Sequence, residues 1–275
     1  MAALQTPAMR FHYHGPMADN LFILTGASRG MGLSMARQLL TRGNTVLCIS
    51  RTEQASLAQD AGHSGAALLQ WRHDLADSAA LAERLGAWLE SQSQTPWRQA
   101  TLINNAALIA RIQPLSAANA AGLAQALRVG LEAPMVLASV FLRATEGWTA
   151  RRQVLNISSG LGRRPMASQA AYCAVKAGMD HFTRCLALEE ALKPGGARVC
   201  SLAPGVIDTD MQLQLRSADA ADFPAQGSFE RLKTQGQLST PDEAARRVLA
   251  YLRRPDFGAQ PVADVRDETA RPAVQ

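Results

Sequence analysis

The chain has 275 residues, 47% of them hydrophobic, which suits one domain with a large core. Its net charge of +5 comes from scattered basic residues, mostly arginine, and only 5% of the chain is aromatic. Neither a basic stripe nor a stacking platform for nucleic acid is supplied, and no run of 18 apolar residues is present to span a membrane.

Residues 1–19 contain Pro7, His12, His14 and Pro16 and no continuous apolar stretch, so they read as an extension rather than a secretory signal. From residue 20 onward strand and helix patterns alternate. Strands are expected at 20–25, 45–50, 67–72, 100–104, 152–158, 197–203 and 261–265. Helices are expected at 30–42, 76–92, 117–145, 168–191, 206–216 and 240–253. Strands separated by helices require crossovers, and crossovers of this kind give a parallel sheet covered on both faces. The expected fold is a single-domain, doubly wound α/β (Rossmann) sheet of seven strands over 20–266, with 267–275 as a short tail. Residues 217–236 are polar, contain glycine and proline, and have a weak pattern, which predicts a mobile lid. Cys48, Cys173, Cys185 and Cys200 fall inside predicted elements without metal-ligand spacing. They read as reduced core residues of a cytoplasmic protein, with no metal site.

The first strand runs into Gly26-Ala27-Ser28-Arg29-Gly30-Met31-Gly32, and a helical pattern follows at once. Strand, glycine turn and helix in this order form a cradle for a dinucleotide pyrophosphate. Gly26 allows the tight turn, while Gly30 and Gly32 allow close backbone approach. The second strand ends Ile49-Ser50-Arg51-Thr52, with no carboxylate at 48–52 to bind ribose hydroxyls. Arg51 and Arg29 instead supply cations for a 2′-phosphate, which selects NADP(H) over NAD. Further on, Tyr172 and Lys176 stand four apart on a predicted helix and share a face. A lysine ammonium beside a phenol is expected to pull the tyrosine pKa toward neutral and make it a usable acid. An isolated pair of this kind also fits a plain helix surface.

The segment Thr25-Gly26-Ala27-Ser28-Arg29-Gly30-Met31-Gly32, then Asn104-Asn105-Ala106-Ala107, Ser158-Ser159, Tyr172-x3-Lys176 and Pro204-Gly205, resembles the short-chain dehydrogenase/reductase family in motif and order. The likeness covers about residues 20–266. It implies that Ser159, Tyr172 and Lys176 are catalytic. It also implies that Gly26, Ser28, Arg29, Gly30, Met31, Gly32, Arg51, Asp74, Leu75, Asn104, Ala106, Pro204, Gly205, Ile207 and Thr209 border the cofactor, with Tyr172 and Lys176. Asp74 serves equally well as a helix N-cap. Asn105 is expected to tie neighbouring strands together. The implied reaction is hydride transfer to a carbonyl, with Ser159 and Tyr172 at its oxygen. The partners implied are a small-molecule carbonyl substrate and a second copy of the chain. Family members pair helices equivalent to 117–145 and 168–191 in homodimers and homotetramers.

Two departures stand out. Ala107 replaces the usual glycine, and Gly130 replaces an asparagine that supports a water in the proton relay. A water in the space left by that side chain would preserve the relay. Its loss would leave the alternative of an NADP(H)-binding sensor with weak catalysis. Within the family, Tyr172-Cys173-Ala174-Val175-Lys176 and the stretch from Ala203 to Gln212 resemble sepiapterin-reducing and benzil-reducing members. Asp264 falls where the former carry a carboxylate for the pterin ring, and a solvated aspartate is the other reading. Pterin and aromatic diketone both stay open as substrates.

Overall fold

The computed structural model describes residues 20–267; the expected extension at 1–19 and the tail from 268 onward lie outside them. Seven strands form one parallel sheet. They are β1 (Asn20–Thr25), β2 (Asn44–Ser50), β3 (Ala67–Arg72), β4 (Gln99–Asn104), β5 (Arg151–Ile157), β6 (Arg198–Ala203) and β7 (Val262–Asp264). Their order is β3-β2-β1-β4-β5-β6-β7. The strand alternation divides the core in two. Leu21, Ile23, Leu47 and Ile49 face one apolar cluster, while Phe22, Leu24, Val46 and Cys48 face the other. Such near-continuous apolar strands belong to a sheet buried on both sides.

The first cluster is covered by α3 (Ser78–Ser91), α5 (Ala133–Ala144) and α6 (Ala170–Ala191), with α4 (Ala120–Leu127) leading into α5. The second is covered by α1 (Gly30–Leu39), α2 (Ala55–Ser64) and α9 (Pro241–Leu252). Three α-helix starts among the described residues carry a side-chain cap. Asp77 accepts from Ala80 N, Asn119 from Gly122 N, and Thr240 and Glu243 form a capping box. The start of α1, at the glycine turn, has none.

Four expectations about elements need correction. Helix α2 was not expected. Its buried face is only Leu57 and Ala61, too narrow to show as a period, and Gly65 ends it at φ +70°. The expected helix at 117–145 is interrupted by a π-helical turn, Arg128–Glu132, between α4 and α5. As one stretch, Ala120–Ala144 is long and apolar enough to cross a membrane, but 56% of its apolar window is buried inside the protein. The helix expected from 206 begins at Asp210, as α7 (Asp210–Arg216). Residues before it are extended, because Ile207 bridges to Ser239. Finally, 217–236 is not featureless. It contains α8 (Gln226–Thr234) and a small core of its own, in which Phe223 stacks on Phe229 at 5.6 Å beside Leu215.

Candidate active site

The cleft opens at the C-terminal ends of β1, β2, β4, β5 and β6 and has a volume of about 910 Å³. In a parallel α/β sheet this is where the strand ends and the helix starts converge. One half is built mostly from backbone. Gly26 and Gly30 have φ of +72° and +52°. A Cβ added at Gly32 would lie 2.0 Å from Gly26 O and 2.5 Å from Asn105 Nδ2. Asn105 Nδ2 donates to Thr25 O and Gly26 O, at 3.0 and 3.2 Å. Asn105 N and Ala106 N both donate to Thr25 Oγ1. The glycine turn is thereby stitched to the end of β4.

Ser28, Arg29, Met31, Arg51, Asp74, Leu75, Ala106, Pro204, Gly205, Ile207 and Thr209 all line the cleft with these glycines. Arg29 Nη1 pairs with Asp210 Oδ2 at 3.0 Å, both side chains being about two-thirds exposed. Asp74 Oδ1 accepts from Ala76 N at 3.0 Å in a turn, and the helix N-cap expected of it is Asp77 instead. Asn104 does not reach the cleft. Its side chain is buried, with Nδ2 donating to Asn156 Oδ1 at 2.9 Å, because successive strand residues point to opposite faces. Gly205 turns the chain at φ +84°. Beyond it, Ser239 N donates to Val206 O and Asp208 N to Ser239 O, which pins the wall holding Ile207 and Thr209.

The floor holds Ser159, Tyr172 and Lys176. Ser159 follows β5, and its Oγ accepts from Leu161 N at 3.2 Å. Ser158 points the other way, and its Oγ donates to Asp180 at 2.5 Å. Lys176 is buried, and its Nζ donates to Ile157 O at 2.7 Å. That ammonium sits 5.7 Å from the Tyr172 ring centroid. The expected depression of the Tyr172 pKa is not what this arrangement gives. Burial pushes the phenol up to about 12, against a hydrogen bond with Ser159 that lowers it. Burial likewise pushes Lys176 down to about 8, against the attraction of Asp180. For both groups desolvation is the largest effect.

Two further expectations change. The position a Gly130 Cβ would take is occupied, not left open. A Cβ there would lie 2.6 Å from Val175 Cγ1, so Val175 has filled the space. Asp264 is not a free carboxylate facing substrate. It is buried, is not part of the cleft lining, and accepts from Arg266 Nε and Nη2 at 2.8 and 2.6 Å. Burial would raise its pKa, but the Arg266 guanidinium and backbone N–H hold it low. Arg266 is the member of the pair that borders the cleft.

The other half of the cleft is side chain. Ile109, Met166, Leu213, Leu215 and Phe229 line it, with Arg164 and Arg216 among them. Gln169, three residues before Tyr172, is buried there with no partner for its Nε2. These residues carry no motif. The aromatic pair Phe223 and Phe229 inside a polar stretch was the one available signal.

A family model described as short chain dehydrogenase matches residues 20–220. The chain belongs to the short-chain dehydrogenase family. Among relatives in this family, a benzil reductase ((S)-benzoin forming) from Bacillus cereus is 35% identical over 235 residues, covering 86% of this chain and 94% of its own. A sepiapterin reductase from Xenopus laevis is 31% identical over 248 residues, covering 86% and 92%. The crystal structure of a short-chain dehydrogenase/reductase from Burkholderia vietnamiensis is 35% identical with a TM-score of 0.61, covering 91% and 98%. As a short-chain dehydrogenase with reductases among its relatives, the protein is an oxidoreductase of the carbonyl-reducing kind.

Proposed function

We propose that the protein reduces a ketone or vicinal dicarbonyl to an alcohol with NADPH, with Tyr172 as the proton donor. The observation that carries this reading is Ser159 and Tyr172 together on the floor of the cleft, with the buried Lys176 behind them. The residues fit a nicotinamide dinucleotide. The start of α1 leaves its N–H groups without a side-chain cap, and Gly32 has no room for a Cβ, so the backbone is bare where a pyrophosphate would lie. Arg51 and Arg29 border the same half and favour a 2′-phosphate. Asp210 competes for Arg29.

When bound, the dihydronicotinamide supplies the hydride. The chain's own residues handle the oxygen and its proton. A phenol with a pKa near 12 stays protonated at neutral pH and is loaded as an acid. It can give its proton to a developing alkoxide, which is more basic still. Ser159 Oγ donates to the same oxygen and stabilises its charge. Lys176 places a positive charge beneath the phenolate that remains.

The apolar lining favours an aromatic or aliphatic dicarbonyl of the benzil type over a pterin, since the carboxylate for a pterin's N–H edge is engaged by Arg266. The test is NADPH oxidation with benzil, sepiapterin and simple diketones, repeated with NADH. Turnover of benzil well above sepiapterin, with NADPH preferred, is the expected result. Tight NADPH binding with no turnover of any carbonyl would sink the reading and support a sensor. The helices α4 to α6 also expose Leu127, Met135 and Leu188, which fits pairing of two or four copies. Light scattering at micromolar concentration should give a dimer or tetramer mass.

A further inference from the structure

Asp180 lies one helical turn beyond Lys176 on α6 and is only 2% exposed. A buried carboxylate is unfavourable unless its lone pairs are filled, and here they are. Oδ1 accepts from Ser158 Oγ at 2.5 Å and from Ser201 Oγ at 2.7 Å. Oδ2 faces Arg163 Nε at 3.3 Å, and Arg163 Nη2 donates on to Ala263 O at 2.7 Å. One side chain thus joins the end of β5, the turn after it, α6 and β6, and reaches β7 through Arg163. The turn Gly160–Gly162 is pressed onto the same point. A Cβ at Gly162 would lie 2.9 Å from Lys176 O and 3.0 Å from Asp180 Oδ2.

Three consecutive residues leave β5. Ile157 is held by Lys176, Ser158 is held by Asp180, and Ser159 faces the cleft. The charges around this point are few. On α6, Tyr172 and Lys176 precede Asp180, while His181 and Arg184 beyond it are exposed. Arg163 comes from the turn. Cys200 and Ser201 come from β6, with Cys200 pushed up to about 12 by burial and therefore neutral. Asp264 comes from β7 and is matched by Arg266. The π-helical turn and α4 bring Val129 and Gln125 to the cleft, neither of them charged. Among the described residues, Asp180 is the carboxylate that acts on Lys176.

We propose that Asp180 is a positioning residue for the reaction centre. It fixes the Ser158–Ser159 turn and supplies the countercharge that keeps the buried Lys176 protonated. This rests on the carbonyl-reduction reading, and two measurements separate the two ideas. The first is the pH dependence of Lys176 acylation by acetic anhydride, read by mass spectrometry; the chain has three lysines, Lys176, Lys193 and Lys233. It needs neither cofactor nor turnover. The second is the alkaline limb of kcat/KM against pH, which reports the free enzyme.

Asp180→Asn should lower the Lys176 midpoint by about one unit, because an opposing charge at this range favours the charged form. The alkaline limb should move down with it. Ser201→Ala removes a hydrogen bond to Asp180 and no charge, so it should leave the midpoint in place. An unmoved midpoint in folded Asp180→Asn overturns the proposal. So does an equal shift in Ser201→Ala, which would make the effect one of packing. Should Asp180→Asn fail to fold, Arg163→Gln replaces it. Loss of that guanidinium should raise the midpoint, and an unchanged or lower value is contrary. If the unaltered chain reduces no carbonyl, the reaction reading fails while the labelling midpoint still judges Asp180.

Discussion

The two halves of the cleft are held together differently. The glycine half is built on backbone: Gly32 packs against Gly26 O, and the Asn105 side-chain amide holds the carbonyls of Thr25 and Gly26. The half formed by α7 and α8 is side chain against side chain. It rests on Leu215, Phe223 and Phe229, and on Asp208, which pairs with Arg216 and Lys233. Backbone contacts leave no slack, so the first half tolerates little. A small side-chain cluster can repack, so the second can vary in shape and in what it admits.

The largest effect is expected where the halves meet. Tyr172→Phe removes the proton donor and nothing else, and should reduce kcat by about 10²- to 10⁴-fold with NADPH affinity nearly unchanged. Comparable turnover would end the assignment of Tyr172 as acid. Gly32→Ala attacks the rigid half. The added methyl overlaps Gly26 O and cannot be relieved by a side-chain rotation. Fluorescence titration should show NADPH binding lost, and melting should show a destabilisation of about 1–3 kcal/mol. Normal binding in this variant would erase the contrast between the halves.

Replacing both Arg29 and Arg51 with alanine should weaken NADPH by about 10- to 150-fold and NADH far less, as expected for a lost charge-assisted contact of about 1.5–3 kcal/mol. Equal losses would show that these arginines do not read the 2′-phosphate. Phe229→Ala tests the adaptable half. It opens the stack with Phe223 and should raise KM for the carbonyl several-fold while leaving NADPH affinity alone. A matching loss of NADPH affinity would show that the halves are one unit.

The smallest effect concerns stability at the floor. Burial lowers the Lys176 pKa to about 8, below the value of about 10.4 for an unfolded lysine. A lysine shifted in this direction binds its proton more weakly when folded. Its cost to the fold is therefore complete below pH 8 and fades as pH rises toward 10.4. Lys176→Met should raise the melting temperature at pH 7 while abolishing turnover, and the gain should shrink by pH 10. A gain independent of pH would be packing alone.

The same contrast governs what could be read from the sequence. Parallel-strand runs and the glycine turn are local patterns, and the seven strands fall within about one residue of their expected bounds. The convergence of Ser159, Tyr172 and Lys176 followed from motif spacing. Asn104 and Asn105 were harder to separate, since only strand alternation decides which of the two faces the cleft. Asp264 failed for a different reason. Its partner Arg266 is two residues away, but nothing local says that a pair will form or which member will face the cleft. The Tyr172 pKa depends first on burial, which is not visible in a four-residue spacing. Helix α8 was hidden because its buried side is essentially one residue, Phe229.

The bridge between Ile207 and Ser239 has a consequence for how such a chain can diversify. Beyond the end of β6, Val206 and Ile207 meet Ser239 in an isolated bridge, so everything between is a detour with pinned ends. The entropy of closing such a detour grows only with the logarithm of its length, about 0.6 kcal/mol per doubling. Residues can be added, removed or exchanged there at little cost to the sheet or the glycine turn. The segment behaves as an interchangeable cassette, and grafting another chain's version between the same two anchors is the natural way to give this scaffold a new substrate.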